Sequence, residues 1–212
     1  MTLSKKILLS KYKQFLLYLI PFKKPSKNFY TVVSENKKSV LNIIKSTQYL
    51  YLVIKFLKVE YRKKEHFLFH ISPYQELYFK FHYARKNYSY LSQRWLGGLL
   101  TNYFTISKTL NNYDTSFSNI KATKKEINTI KKKKEKIIYL FEGLNNLNKL
   151  PTAVIFLNNK NNNFAIKECL SLGIIPITLV NITRKTFVSP YILPITQNSL
   201  KFSEFFLKEI FD

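Results

Sequence analysis

Two apolar periodicities alternate along this chain. Short unbroken runs read as buried strands: Phe67 to Ile71, Leu150 to Leu157, Ile175 to Val180 and Ile192 to Ile195, with Tyr88 to Leu91 as a shorter one. Between them, apolar residues recur every three or four positions. Leu50, Val53, Ile54 and Leu57 predict a helix capped by Thr47 and running to about Arg62. Pro73 opens a second helix with Leu77, Phe81 and Ala84 inward, since proline suits a first turn. Leu99, Leu100, Tyr103, Phe104 and Ile106 predict a third, continuing to Leu110 and stopped by Asn111-Asn112. Ala165 to Cys169 predict a short fourth helix with Gly173 at its C-terminal cap. A last helix follows a cap at Asn198 or Ser199, with Leu200, Phe205, Phe206 and Ile210 inward. Near the front, Phe29 to Val33 and Val40 to Ile44 are strand-like around a Glu35-Asn36-Lys37-Lys38 turn. Strands alternating with helices predict an α/β fold, a parallel sheet flanked by helices of flavodoxin or Rossmann-like type.

Two stretches depart from that alternation. Residues 1–28 form a basic arm in which Ile7, Leu8, Tyr12, Phe15, Leu16 and Leu19 can share a helical face. Residues 113–150 change character, with Lys131 to Lys134 followed by Ile137, Ile138, Leu140, Phe141, Leu144 and Leu147, the pattern of a basic helix. The expected division is therefore a basic arm (1–28), a first part of the α/β domain (29–112), a stretch of different character (113–150) and a second part of the α/β domain (151–212).

Charge narrows the partners. The 212 residues carry a formal net charge of +23, with 46% hydrophobic residues, so this is a basic folded chain and not a basic disordered tail. Residues 1–64 hold fifteen Lys and Arg against two acids. A polyanion compensates such an excess, nucleic acid first and an anionic membrane surface second. No apolar run approaches the roughly 20 residues that span a bilayer. The run Phe15 to Ile20 stops at Pro21, and the first 24 residues lack Arg, which favours an ordinary N-terminal helix over a cleaved presequence. Lys, Asn, Ile, Phe and Tyr, whose codons are AT-rich, dominate over Arg, Gly, Ala and Asp.

Catalytic equipment is sparse. No glycine-rich dinucleotide fingerprint follows the first strand, and no phosphate-binding G-x-x-x-x-G-K-[ST] loop occurs. Cys169 is the one cysteine, flanked by Ile166 and Leu170, and reads as a small core residue. His66, His70 and His82 have no clustered cysteines or carboxylates, so no metal and no cofactor are expected. Asp114 and Asp212 are the only aspartates, and the ten glutamates are scattered among lysines.

The most specific string is Arg94-Trp95-Leu96-Gly97-Gly98-Leu99-Leu100-Thr101-Asn102, which holds the only Trp and the only Gly-Gly pair. With Tyr103, Phe104, Thr105 and Ile106 it resembles the R-W-L-G-G-x-L-T-N-W-x-T block of ribosomal protein S-two, the second protein of the small ribosomal subunit, in its bacterial and organellar form. Tyr103 stands where the family has Trp. A second block, Ala165-Ile166-Lys167-Glu168-Cys169 with Leu172-Gly173-Ile174 and Pro176, is similar to the family's A-I-K-E-A-x-x-L-G-I-P. Weaker matches are Lys38 to Thr47, the Lys121 to Glu126 segment, and Leu150 to Leu157, with Asn158 and Asn181 where the family often has Asp. The family's aromatic, His-containing N-terminal motif is not recognisable.

The resemblance implies a structural constituent of the small ribosomal subunit, between head and body on the solvent side, binding ribosomal RNA and neighbouring ribosomal proteins, not a homo-oligomer and not an enzyme. With the AT-rich composition it points to an organellar gene, mitochondrial with plastid as alternative. It also implies a helical hairpin inserted at 113–150, here short. The expected RNA contacts are Lys23, Lys24 and Lys27, on a segment stiffened by Pro21 and Pro25, then Lys37 and Lys38. Arg94 and Trp95 either support an RNA-facing loop or, for Trp95, belong to the core. Lys124, Lys125, Lys131, Lys132, Lys133 and Lys134 form a second basic group. Gly97, Gly98, Thr101 and Asn102 are the structural signature. The competing readings are a basic α/β enzyme acting on nucleic acid and a membrane-surface protein using residues 1–20.

Overall fold

A computed structural model describes residues 31–33, 39–41, 43–83, 88–108, 124–144, 147, 149–157, 162–181, 189, 191–195 and 200–211. In chain order the elements are β1 (Thr31–Val33), β2 (Ser39–Leu41), α1 (Ile43–Arg62), β3 (Phe67–His70), a 3-10 turn (Pro73–Gln75) leading into α2 (Glu76–Tyr83), and β4 (Tyr88–Leu91). Then come a short helix α3 (103–108), α4 (Lys124–Phe141), β5 (Ala153–Phe156), α5 (Asn163–Ser171), β6 (Ile175–Asn181), β7 (Tyr191–Ile195) and α6 (Leu200–Phe211). Five strands form a parallel sheet in the order β4-β3-β5-β6-β7, flanked by helices, which is the α/β architecture expected. Strands β3 and β5 are buried at every position, as strands covered on both faces must be.

The chain divides into two compact units. The first comprises residues 1–65, 155–161 and 175–212. In it, β1 and β2 pair antiparallel with Val32 opposite Val40, the hairpin expected around residues 35–38. Helix α1 buries Leu50, Val53, Ile54 and Leu57, the expected stripe. It begins at Ile43, however, so Thr47 is not its cap but a buried residue within it, and Ile43 and Ile44 belong to the helix, not to a strand. An apolar pair beside an amphipathic helix fits either period, and tertiary packing decides. Helix α6 buries Phe202, Phe206, Leu207 and Ile210. Phe202 and Phe206, one turn apart, stack at 5.9 Å, while Phe205 is only half-buried. Of the expected inner face, Phe206 and Ile210 are buried, while the Leu200 side chain lies outside those described. Tyr61 of α1 meets Phe211 of α6 edge-on at 5.0 Å.

The second unit comprises residues 66–154 and 162–174. Strands β3 and β4 pair parallel from Phe67 opposite Tyr88 to His70 opposite Leu91. The sequence pattern points Leu77 inward, but it is 66% exposed, and Phe79 takes the core position. The 3-10 turn at Pro73–Gln75 winds more tightly than an α-helix, so a 3.6 period counted from Pro73 points the wrong residue inward. The Phe79 ring lies 5.6 Å from that of Phe69 and about 6 Å from those of Tyr88 and Tyr90. Phe81 has its side chain, and Ala84 its whole residue, outside the described residues. At the end of α4, Gly143 sits so close to β4 that an added Cβ would collide with the Tyr90 backbone carbonyl and ring.

Candidate functional site

The Arg94 to Asn102 string and the Ala165 to Glu168 string meet in this second unit, through one carboxylate. After β4 the chain makes a turn over residues 97–100 and enters α3. Gly98 has φ +85°, a left-handed conformation that non-glycine residues adopt only with strain. Asn102 donates its backbone N–H to the Gly98 carbonyl at 2.9 Å and closes the turn. Gly97 differs: it has no positive φ, and an added Cβ would meet nothing within 4 Å. Of the two signature glycines, only Gly98 is demanded by the local backbone.

The turn leaves several N–H groups pointing outward together, the usual situation at a helix start. Glu168, on the exposed side of α5, meets them. Its Oε1 accepts from the backbone N–H of Leu100 at 2.8 Å and of Thr101 at 3.0 Å, and from the Thr101 hydroxyl at 3.3 Å. Its Oε2 accepts from the Trp95 indole N–H at 3.0 Å and from the Gly98 N–H at 3.3 Å. Partial burial works to raise the carboxyl pKa, but the hydrogen bonds from Trp95, Thr101, Leu100 and Gly98 outweigh it and hold the group below the usual carboxylate range. The charge is engaged within the fold, so Glu168 is an anchor and not a free acid or base. Residue order on α5 fits this: the helix ends in a hydrogen-bonded cap, Ile174 N–H to Cys169 carbonyl at 2.9 Å and Gly173 N–H to Leu170 carbonyl at 3.2 Å. Gly173 is therefore the C-terminal stop that the sequence predicts.

Trp95 is half-buried. Its indole N–H serves the anchor, and its ring packs edge-on against His70 at 5.7 Å. His70 donates Nε2–H to the Gln93 carbonyl at 3.1 Å, which fixes the turn's approach from the β4 side. Arg94, between these, is exposed, as are Thr101 and Asn102. Phe104, expected in the core with Leu99, Leu100 and Tyr103, is 76% exposed while those three are buried. Residues 99–102 form a turn and not the helix that the sequence predicts, so helical spacing from Leu100 does not carry Phe104 inward.

Of the basic groups, Lys23, Lys24, Lys27, Lys37 and Lys38 lie outside the described residues. Lys125, Lys131, Lys132 and Lys133 are exposed on α4; the side chains of Lys124 and Lys134 are not among those described. Three consecutive exposed positions span more than half the helix circumference, at about 100° each, so α4 stands largely clear of cover there. Along one side, Lys125, Thr129, Lys132, Lys136 and Tyr139 are all exposed at spacings of four, three, four and three. Further on, Ile137, Leu140 and Phe141 are half-buried, and Leu144 and Leu147 are buried. The other arm expected for a hairpin, before residue 124, and the side chain of Ile138 lie outside the described residues.

The groups that could suggest hydrolytic chemistry are built into the core. His66 Nε2 and Ser89 Oγ lie 2.9 Å apart, but Ser89 is fully buried and no substrate can reach it. Burial, with the Lys149 charge adding, holds His66 below its ordinary pKa of 6.5. Burial, and then the neighbouring Glu168 charge, pushes the Cys169 thiol up to about 12, far from a nucleophile's range. Among the described residues no group of three His, Cys, Asp or Glu could hold a metal ion.

With this geometry in view, a sequence model of the family described as "Ribosomal protein S2" matches residues 21–212. The chain belongs to the ribosomal protein S2 family. Similar relatives include the small ribosomal subunit protein uS2 of Malacoplasma penetrans (strain HF-2), 35% identical over 127 residues, covering 55% of this chain and 34% of the relative. The uS2 proteins of Chlorobium chlorochromatii (strain CaD3) and Chlorobaculum parvum (strain DSM 263 / NCIMB 8327) are 30% and 32% identical over 135 and 136 residues, covering 61% and 60% of this chain. The chain spans between a third and just over half of the length of these relatives. In this chain, the Trp95–Glu168 anchor is a bond between the two blocks that carry the resemblance. Sequence reasoning does not single out Glu168 itself. The available signal is that two strong blocks, seventy residues apart, are each too specific to be packing alone.

Proposed function

We propose that this protein is a structural constituent of the small ribosomal subunit, where it binds ribosomal RNA and neighbouring ribosomal proteins without catalysis. Membership of the ribosomal protein S2 family carries this reading. A net charge of +23, with exposed lysines along α4, supports RNA as the counter-charge. The Trp95–Glu168 anchor, which ties the turn to α5, is suited to holding a recognition surface and not to chemistry. In this reading Lys23, Lys24, Lys27, Lys37, Lys38, Arg94 and the α4 lysines contact RNA. The chain is organised as a basic arm, a split α/β domain and an inserted basic hairpin. The AT-rich residue usage supports an organellar ribosome, mitochondrial first, and the location of the gene on organellar DNA tests that part. No helix among the described residues is long and apolar enough to cross a membrane.

The test is sedimentation of a tagged full-length chain. Co-migration with small subunits in magnesium is expected, and migration with membranes or as a free protein sinks the proposal. A second measurement is the salt dependence of binding to structured RNA. With six or more phosphate contacts, affinity should fall by roughly a thousandfold or more between 50 and 200 mM salt. A salt-independent affinity would remove the polyelectrolyte basis of the reading.

A further inference from the structure

The anchor does more than join two strings, because of what each helix presents one turn away from it. Phe164 precedes Glu168 by four residues on α5, so the two share a face, and Phe164 is 84% exposed. Phe104 follows Thr101 by three residues into α3 and is 76% exposed. These are the two most exposed large apolar side chains among the described residues. Both lie close in sequence to the same hydrogen-bonded link, Thr101 to Glu168: Phe104 is three residues from Thr101, and Phe164 one helical turn from Glu168. Isolated exposed apolar residues are ordinary on a protein surface. The Phe104 ring lies 6.1 Å from that of Tyr103, yet both phenyl rings stand largely bare to solvent beside one link.

The charges around the link have one sign. Lys167 adjoins Glu168 and is exposed, Lys108 lies one turn beyond Phe104 and is exposed, and Arg94 is exposed at the entrance to the turn. The one acid at the link, Glu168, has its carboxylate oxygens engaged by five hydrogen bonds. We infer that this surface is a stacking platform for unpaired nucleobases of RNA, with Phe104 and Phe164 offering ring faces and Arg94, Lys108 and Lys167 meeting the adjoining phosphates. Aromatic rings set among cations are the chemistry by which proteins hold splayed-out bases, because every base has a π-face and every nucleotide a phosphate. A protein partner would favour a continuous apolar patch. Here exposed Thr101, Asn102 and Thr105 surround Phe104 along the chain, and exposed cations lie close in sequence to both rings. The inference rests on the RNA-binding reading above and narrows it: the basic helix α4 meets backbone charge, whereas this platform distinguishes single-stranded from paired RNA.

The test uses the full chain and two RNA probes of equal length at one salt concentration. One is a hairpin with an unpaired adenine-rich loop carrying a single 2-aminopurine, and the other is a fully paired duplex. The expected result is quenching of 2-aminopurine fluorescence on binding, as stacking requires. The Phe104→Ala and Phe164→Ala double variant should lose roughly tenfold or more in affinity for the loop hairpin and little for the duplex. Thermal unfolding of the variant should match the parent, because both rings are exposed. Phe104→Tyr with Phe164→Tyr should restore loop binding, and Phe104→Leu with Phe164→Leu should not. Equal affinity of parent and double variant for the loop, or full activity of the leucine pair, overturns the platform while leaving RNA binding intact. Unchanged loop affinity combined with loss of the double variant from purified small subunits would assign the surface to a protein neighbour, which also overturns it. Failure of the parent chain to bind either RNA would instead remove the RNA-binding reading itself.

Discussion

The turn at residues 97–102 and helix α4 carry the chain's two most conspicuous sequences, and they are built in opposite ways. In the turn, Gly98 supplies a left-handed backbone and an N–H, Trp95 supplies an indole N–H, and Glu168 from α5 accepts from both. In α4 the described lysine side chains are exposed. Lys125, Lys131, Lys132, Lys133 and Lys136 project into solvent. The comparison separates two kinds of specificity. Residues that a fold needs are demanded one by one by geometry, so substituting one breaks something definite. Residues that a polyanion needs are demanded by number and spacing, so each is individually replaceable and stability hardly registers the change.

The largest effect should come from Glu168→Gln. A carboxamide offers one acceptor oxygen where the carboxylate offers two, and its NH2 would face N–H groups that now donate to Oε1 or Oε2. Losing charge-assisted bonds and stranding a donor should destabilise the protein by roughly 2–4 kcal/mol, read by denaturant unfolding. The same variant gives a pH test. The folded-state pKa of Glu168 is depressed below its ordinary 4.5. Its contribution is therefore fully present above pH 4.5 and is lost as pH falls through the lower folded-state value. The stability gap between parent and Glu168→Gln should narrow below pH 4.5 and stay constant from pH 6 to 8. A gap that widens in acid would show that the carboxylate is not held ionised by the turn.

Next in size is Gly98→Val against Gly97→Val. At Gly98 a β-branched side chain meets a φ of +85° and the Asn102 amide 3.1 Å from its Cβ, so a loss of about 1–3 kcal/mol is expected. Gly97 has neither obstacle. Its substitution should cost less than about 0.5 kcal/mol in the same unfolding measurement, within the range of ordinary surface changes. Equal losses would mean that the turn is held as a unit and that Gly98's conformation is not the deciding feature.

This asymmetry also explains what can be read from the sequence. The α/β order, the strands β3 to β7, the C-terminal ends of α1 and α5 and the Gly173 stop are legible, because each rests on an unbroken apolar run or a local backbone rule. Phase is less legible. The apolar pattern places Leu77 inside and passes over Phe79 because a 3-10 turn resets the period. Thr47 looks like a cap because a small polar residue before an apolar stripe reads the same whether it starts the helix or is buried in it. The Glu168 anchor does not follow from any local rule. Its donors lie some seventy residues away, and a glutamate on an exposed helix face next to Lys167 looks solvated. Likewise Gly97 and Gly98 are identical letters whose difference exists only as a dihedral angle.

The smallest effect on stability, and the sharpest test of the other half of the comparison, belongs to α4. Lys125, Lys132 and Lys136 lie on one side at spacings of seven and four, so their side chains can follow a single backbone of phosphates. Lys131 and Lys133 sit on either side of that line, about 100° away each. Replacing Lys125, Lys132 and Lys136 together by Gln should change unfolding free energy by less than about 0.5 kcal/mol per site, since glutamine is nearly as good a helix former as lysine. The salt dependence of RNA binding should respond instead. Every lysine–phosphate pair that is abolished takes about 0.7–0.9 from the slope of log affinity against log salt, so the aligned triple should lower it by roughly 2. Replacing Lys131 and Lys133 with Gln, plus one aligned lysine, removes the same charge but fewer aligned phosphate pairs, and should lower the slope by about 1. Equal slopes for the two triples would show that α4 attracts RNA only as a diffuse charge, without the track that its exposed stripe provides.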